Sequence, residues 1–304
     1  METVADAMFE PEHYELLDFG AGRKLERFGS ELLDRPSPAA DGVAMAEPGF
    51  WGSASARYHQ EKGGKGQWSE SALSSADSDG SWSVSHGQSQ LLIQLGPSGN
   101  VGLFPEQADN WDWISRQVAQ SRTHMGDDRP RVLNLFGYTG GASLAAAAAG
   151  AAVTHVDSSA PAVAWAKRNA DASGLSDLRV RWLVEDAMKF VRRERRRGNF
   201  YHGVIADPPT YGHGPKGQAF KFNQHLPELM ELCGELVDHD ESGDRFLLFS
   251  CHAPGFSADD AATTLASVIP GSVDGQLESG DLELKTRKGR TLAAGVSARW
   301  SNQW

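Results

Sequence analysis

From about residue 105 onward, short apolar runs alternate with longer stretches in which apolar positions recur every three or four residues. The runs are 131–136 (RVLNLF), 153–157, 179–184, 201–206 and 245–250. Runs of that length between turn signals read as buried strands. The intervening stretches 106–122, 141–150, 160–173, 186–197 and 223–238 read as helices, with Gly174 placed as a left-handed cap after the third. Strands alternating with helices of this length predict a parallel sheet covered by helices on both faces. Two final segments, 282–285 and 292–300, have no helix between them and should close the sheet as an antiparallel pair.

Upstream the texture differs. Residues 13–35 alternate short apolar groups with glycine turns, as β-hairpins do. Residues 60–90 are rich in Gly, Ser and Asp and read as loops between short strands. A strand at 90–95 then meets the turn Gly96-Pro97-Ser98-Gly99-Asn100. The reading is therefore a small β-rich region over 1–100, possible in substrate binding, and an α/β domain over 101–304.

Composition excludes little. No apolar run approaches the roughly 20 residues that span a bilayer. The acidic start lacks a signal peptide's basic flank and apolar stretch, and two cysteines give neither a disulfide framework nor a zinc spacing. A cytoplasmic protein without bound metal is expected; the oligomeric state stays open. The formal charge of −11 is uneven: residues 1–100 hold 7 basic against 15 acidic side chains, a formal −8. The acidic balance thus leaves room for nucleic acid, because residues 192–197 and 285–290 are basic clusters able to meet phosphates. Short basic runs are more often solvated faces.

Four strand ends carry candidate chemistry. After 131–136 comes Gly137-Tyr138-Thr139-Gly140-Gly141, a glycine turn into a helix. Ligands of open α/β sheets bind outside the C-terminal strand ends at the switch point, where glycines let backbone approach a cofactor. The spacing is neither a dinucleotide fingerprint nor a P-loop. Asp157, 20 residues beyond Gly137, can accept both hydroxyls of a ribose; its rival role is capping the next helix, which Ser158 or Ser159 could fill. Glu185-Asp186-Ala187 follows the third strand, where Asp186 can take an adenine amino group or cap a helix. The fourth site, Asp207-Pro208-Pro209-Thr210-Tyr211, is the most specific. Two prolines stiffen that corner, so its acceptors can meet a planar base with little reorganisation.

From about residue 100 the chain resembles the bacterial family of 23S ribosomal RNA methyltransferases that modify cytosine C5 or guanine N7. The resemblance lies in GLFPEQ (102–107), LNLFGYTGGASLAAAAAGA, VDSSAPAVAWAKRNADASGL, ADPPTYGHGPKG, FLLFSCHAPGF and GRTLAAGVSARW. It implies a Rossmann-like class I methyltransferase domain, a fold that the terminal hairpin also fits better than a dehydrogenase. By this likeness S-adenosylmethionine is the cofactor. Phe136, Gly137 and Thr139 line its methionine part, Asp157 holds the ribose, Asp186 the adenine, and Gln107 covers it from the other side. Asp207 stands between cofactor and base, and 23S ribosomal RNA is the implied partner. The N-terminal region does not read as the RNA-binding PUA domain of many cytosine-C5 members.

The product divides the motifs. Cytosine C5 needs a thiolate added at C6, and Cys251 sits where C5 members place it, with His252 able to lower its pKa. Asp207 would then bind the base's N3/N4 edge. Guanine N7 needs alignment alone, and the Asp-Pro-Pro-Thr form is closer to those members; cytosine C5 ranks slightly first. Either base must leave its stack. Residues 211–218 read as a lid, where Lys216 can meet a phosphate and Tyr211 or Phe220 can stack on a base. The rival readings are a silent RNA-binding scaffold that keeps the cofactor pocket, a methyltransferase of another substrate, and a nicotinamide dehydrogenase.

Overall fold

The computed structural model describes residues 9–60, 66–69, 73–74, 76–125, 128–177, 179–213, 219–237, 243–269 and 274–302. Two compact units divide the chain: Met1–Asp109 with Glu283–Ala294, and Asn110–Leu282 with Gly295–Trp304.

The first unit is built on strands. β1 (Tyr14–Gly20), β2 (Arg23–Phe28), β3 (Glu31–Pro36), β4 (Ala56–Gln60) and β5 (Gly66–Trp68) form one sheet in sequence order. All its neighbours are antiparallel except β3 and β4. β6 (Ser81–His86) and β7 (Ser89–Gln94) form a separate antiparallel pair. Leu25, Phe28, Leu33 and Tyr58 are buried on these strands, Leu25 and Phe28 on opposite faces of β2. Glu26 is fully buried as well, where it accepts hydrogen bonds from Tyr14 (3.0 Å) and Arg35 (2.8 Å) and pairs with Lys24 (3.0 Å). Burial pushes its carboxyl up, but Arg35 and Lys24 outweigh that and hold it below the ordinary range.

The second unit holds α1 (Ala108–Met125) from its third residue on, then β8 (Arg131–Leu135), α2 (Gly141–Ala148), β9 (Ala152–Asp157), α3 (Ala160–Ala172), β10 (Val180–Val184) and α4 (Ala187–Arg196). Next come β11 (Gly203–Ala206), β12 (Tyr211–His213), β13 (Ala219–Lys221), α5 (Phe222–Leu236), β14 (Phe246–Cys251), α6 (Ala258–Ala266), β15 (Gln276–Lys285) and β16 (Thr291–Ser301). Seven strands stand in the order β10-β9-β8-β11-β14-β16-β15. The first five are parallel and β16 is antiparallel to β14. The strand order reverses between β8 and β11, which is the switch point. On one face the apolar sides of α4, α5 and α6 pack on Leu133, Leu135, Val204 and Phe249.

The predicted alternation is present, with ends shifted by one to three residues. Elements that went unpredicted include α6, which starts at a Ser257–Asp260 capping box, and the ribbon β12–β13, whose first strand falls in the expected lid and whose second follows it. The C-terminal pair also differs. Its outer part, 283–294, belongs with the first unit, although the sequence reading kept 101–304 together. Arg287 pairs with Glu15 (2.5 Å), Arg290 with Asp18 (2.5 Å) and Lys288 with Glu47. Partners some 240 to 270 residues away leave no trace in local patterning.

Candidate active site

The strand register brings the predicted residues to one edge. Leu135 of β8 is level with Val156 of β9 and with Ala206 of β11. The next residues along, Phe136, Asp157 and Asp207, therefore leave the sheet side by side. Ala206 is level with Phe249, which brings Cys251 to the same edge, and Asp186 follows β10 at the other side.

The turn after β8 has an unusual backbone. Phe136 (φ 57°) and Tyr138 (φ 48°) are left-handed non-glycine residues, held there because the surroundings over-determine them. Gly140 is left-handed too, at φ 92°. A side chain on Gly141 would meet the Trp111 ring at 2.4 Å. Gly137 N–H donates to Val156 O (3.1 Å), and Tyr138 N–H donates to Asp157 Oδ2 (2.9 Å). The buried amide of Asn169, on α3, donates to Thr139 O (2.8 Å).

Asp157 takes one N–H on each oxygen, with Ser159 N–H on Oδ1 (2.8 Å). Each carboxylate oxygen can accept more than one hydrogen bond, so acceptor capacity remains. Burial raises its pKa, opposed by those two bonds. It does not cap α3; Ser159 does, accepting from Ala162 N–H. Asp186 does cap α4, receiving Lys189 N–H on Oδ1 (2.8 Å). Its neighbour Glu185 is engaged by the Arg193 guanidinium (2.5 and 2.8 Å). The cap thus occupies one oxygen of Asp186.

At the base side, Pro208 is buried, Pro209 is exposed, and Tyr211 on β12 is 55% exposed. Phe220 is buried instead, edge-on to Phe136 at 5.2 Å, so in this conformation it is no stacking surface. Lys216 lies outside the described residues. Gln107 is buried in the 3-10 turn Pro105–Gln107 of the first unit. Cys251 is 1% exposed. Burial pushes its thiol up to about 11; Ala253 N–H pulls the other way, and the Asp207 charge adds to the rise. This corrects the expectation of a thiol activated by its neighbour.

The comparisons agree with this geometry. Residues 50–264 match the family model described as S-adenosylmethionine-dependent methyltransferase. The chain belongs to the S-adenosylmethionine-dependent methyltransferase family. The methyltransferase is 34% identical to the S-adenosylmethionine-dependent methyltransferase of Agrobacterium tumefaciens, whose crystal structure superposes with a TM-score of 0.85 over 95% of this chain and 90% of that one. It is 44% identical over 152 residues to ribosomal RNA large subunit methyltransferase I of Photobacterium profundum, covering 50% of this chain and 35% of the relative. It is 31% identical over 179 residues to ribosomal RNA large subunit methyltransferase K/L of Alcanivorax borkumensis, covering 59% and 23%. The chain thus spans about a third of these relatives' length or less.

The methyltransferase's own residues fit its cofactor. The left-handed turn after β8 and the carboxylate of Asp157 leave the sheet together at the switch point, and a second carboxylate, Asp186, stands two residues past the strand beside Asp157. Two cavities among the described residues lie away from this edge. One of about 500 Å³ sits among Arg131, Arg179 and Arg181 at the opposite strand ends, and one of about 330 Å³ lies in the first unit. The strand ends outweigh both, because open α/β sheets bind ligands there. Missed by the sequence reading were the buried Ser143 and His155 beneath the turn, and the contact of Asn134, which opens the glycine-turn motif, with Ser143. Only a polar residue inside an otherwise apolar strand hinted at them. Among the described residues no helix is long and apolar enough to cross a membrane, and no group of His, Cys, Asp or Glu could hold a metal.

Proposed function

We propose that this methyltransferase modifies a base of large-subunit (23S) ribosomal RNA in the cytoplasm. The observation that carries the reading is the Asp207-Pro208-Pro209 corner, which leaves the sheet next to the turn after β8, with Asp157 on that turn's other side. When bound, S-adenosylmethionine supplies an electrophilic methyl on sulfur. Phe136, Gly137 and Thr139 line its methionine end, Asp157 accepts from the ribose, and the uncapped oxygen of Asp186 meets the adenine. Asp207 holds the polar edge of the target base and also borders the cofactor. The rigid corner Pro208-Pro209, exposed Tyr211 and Lys216 seat the nucleotide. The names of the curated relatives support the RNA substrate. The burial of Cys251 favours guanine N7, since a covalent route needs a reachable thiolate.

The test compares modified nucleosides of 23S ribosomal RNA from a deletion strain and its parent, then supplies purified enzyme and labelled cofactor to the deletion-strain RNA. One methylated base should vanish and be restored. Identical nucleoside profiles with no label transfer to any ribosomal RNA would sink the reading.

A further inference from the structure

Beneath the turn lies a set of buried polar side chains that the proposed chemistry does not use. Asn134 and His155 are paired in register on β8 and β9, so they face the same side. Ser143 covers them from α2. All three are buried, at 2%, 0% and 0% exposure. Asn134 Nδ2 donates to Ser143 Oγ (2.8 Å), and Ser143 Oγ lies 2.9 Å from His155 Nδ1. The serine hydroxyl, which already accepts from the amide, shares one proton with Nδ1, in a direction that the ring tautomer sets. Burial lowers the His155 pKa to about 3, which keeps the imidazole neutral. The ring also leans on Trp182, with centroids 4.9 Å apart.

These side chains shape the turn directly. A side chain on Gly137 would stand 2.5 Å from the His155 ring and 3.0 Å from Asn134 Nδ2, so the turn backbone rests on both. On either side of Gly137 the left-handed Phe136 and Tyr138 need external support. If Tyr138 relaxed, its N–H would leave Asp157, and the carboxylate would lose one of its two anchors.

We infer that Asn134, Ser143 and His155 form a positioning brace that holds the Phe136–Tyr138 turn and Asp157 in cofactor-receiving form without touching the cofactor. The inference rests on the proposal that this turn receives the cofactor. It explains why polar groups occupy a site that apolar side chains could fill at lower desolvation cost.

Ser143→Ala tests it, because alanine suits the helix and leaves the His155 ring in place. The readouts are calorimetric affinity for S-adenosylhomocysteine, thermal midpoint without ligand, and turnover at saturating cofactor. Cys233→Ala, in the apolar core of α5, is the control for general loosening. Ser143→Ala should weaken S-adenosylhomocysteine roughly tenfold, the equivalent of one or two net hydrogen bonds. Its turnover at saturation should stay within about threefold, its midpoint should fall no further than the control's, and the control's affinity should not change. His155→Phe should weaken binding at least as much, but if it fails to fold, Ser143→Ala decides alone. Ser143→Ala affinity within twofold of wild type, or an equal loss in Cys233→Ala, overturns the brace. A wild-type protein that binds no S-adenosylhomocysteine would instead strike the cofactor reading, and the brace with it.

Discussion

At the scale of single residues, two carboxylates and one thiol separate binding from chemistry. Asp157 is anchored by two backbone N–H groups while keeping acceptor capacity, so Asp157→Ala should weaken S-adenosylmethionine by about 1.5–3 kcal/mol, the range for hydrogen bonds to a charged group. Calorimetry measures this, and an unchanged affinity would place the ribose elsewhere. Asp207 differs, because the proposed reading sets it against the base. Asp207→Ala should abolish methyl transfer while cofactor affinity stays within a few fold; unchanged turnover on the authentic RNA would make the corner structural. Cys251 decides the product. A thiol pushed up to about 11 carries little thiolate at neutral pH. Cys251→Ala should therefore retain most activity if guanine N7 is the target. Complete loss, together with a trapped adduct on RNA containing 5-fluorocytosine, would restore cytosine C5.

At the scale of elements, the glycine turn and the basic helix α4 contrast. Gly137→Ala drives a methyl group into the His155 ring and should cost about 1–3 kcal/mol, as overpacking does, along with cofactor affinity. A stable variant with normal affinity would show that the turn can shift. From sequence the arginines of α4 could meet phosphates, although a solvated face is the commoner reading for such a run. In the fold Arg192 pairs with Glu228 (2.6 Å), Arg193 with Glu185 (2.5 Å) and Arg195 with Glu235 (2.7 Å). Arg197 reaches buried Glu194 at 3.3 Å. The bland reading prevails for most of the cluster, since its charge is already met by carboxylates on the same unit. Arg195→Ala should leave RNA affinity and its salt slope within error, whereas a slope reduced by about one would reveal a phosphate contact.

At the scale of the whole chain, charge that local reading assigns to solvent or RNA organises the first unit. Glu26 is buried among Tyr14, Lys24 and Arg35, and Asp18 accepts from Trp51 Nε1 (2.9 Å), Glu47 N–H (2.9 Å) and Arg290. Burial raises both carboxyls, but their partners prevail and both pKa values end below the ordinary range. A depressed carboxyl contributes stability that is fully present above its unfolded value and is lost as pH falls towards the folded one. The thermal midpoint should therefore drop between about pH 5 and pH 3, near and below the unfolded carboxylate values. Glu26→Gln should lower the midpoint at neutral pH, by leaving buried Arg35 without its counter-charge, and should flatten the acid decline. An unaltered acid profile in that variant would remove Glu26 from the account.

The sequence by itself determined what depends on neighbours in the chain. Apolar runs and helical spacing gave the parallel strands from Arg131 to Cys251, because burial on two faces selects those patterns. The strand-end residues Gly137, Asp157, Asp186 and Asp207 were legible for the same reason: each lies at its strand's end or within two residues of it, and the fold class says where such ends meet. Tertiary structure alone decided what depends on partners far along the chain. Ser159, rather than Asp157, caps α3 because the carboxylate turns to Tyr138 N–H. Glu228 and Glu235 neutralise α4, and residues 283–294 join the first unit through acids at positions 15, 18 and 47. The burial of Cys251 and His155 likewise comes from packing of several elements at once. A sequence pattern reports which face is apolar, but a buried charge or thiol is set by the groups that close over it.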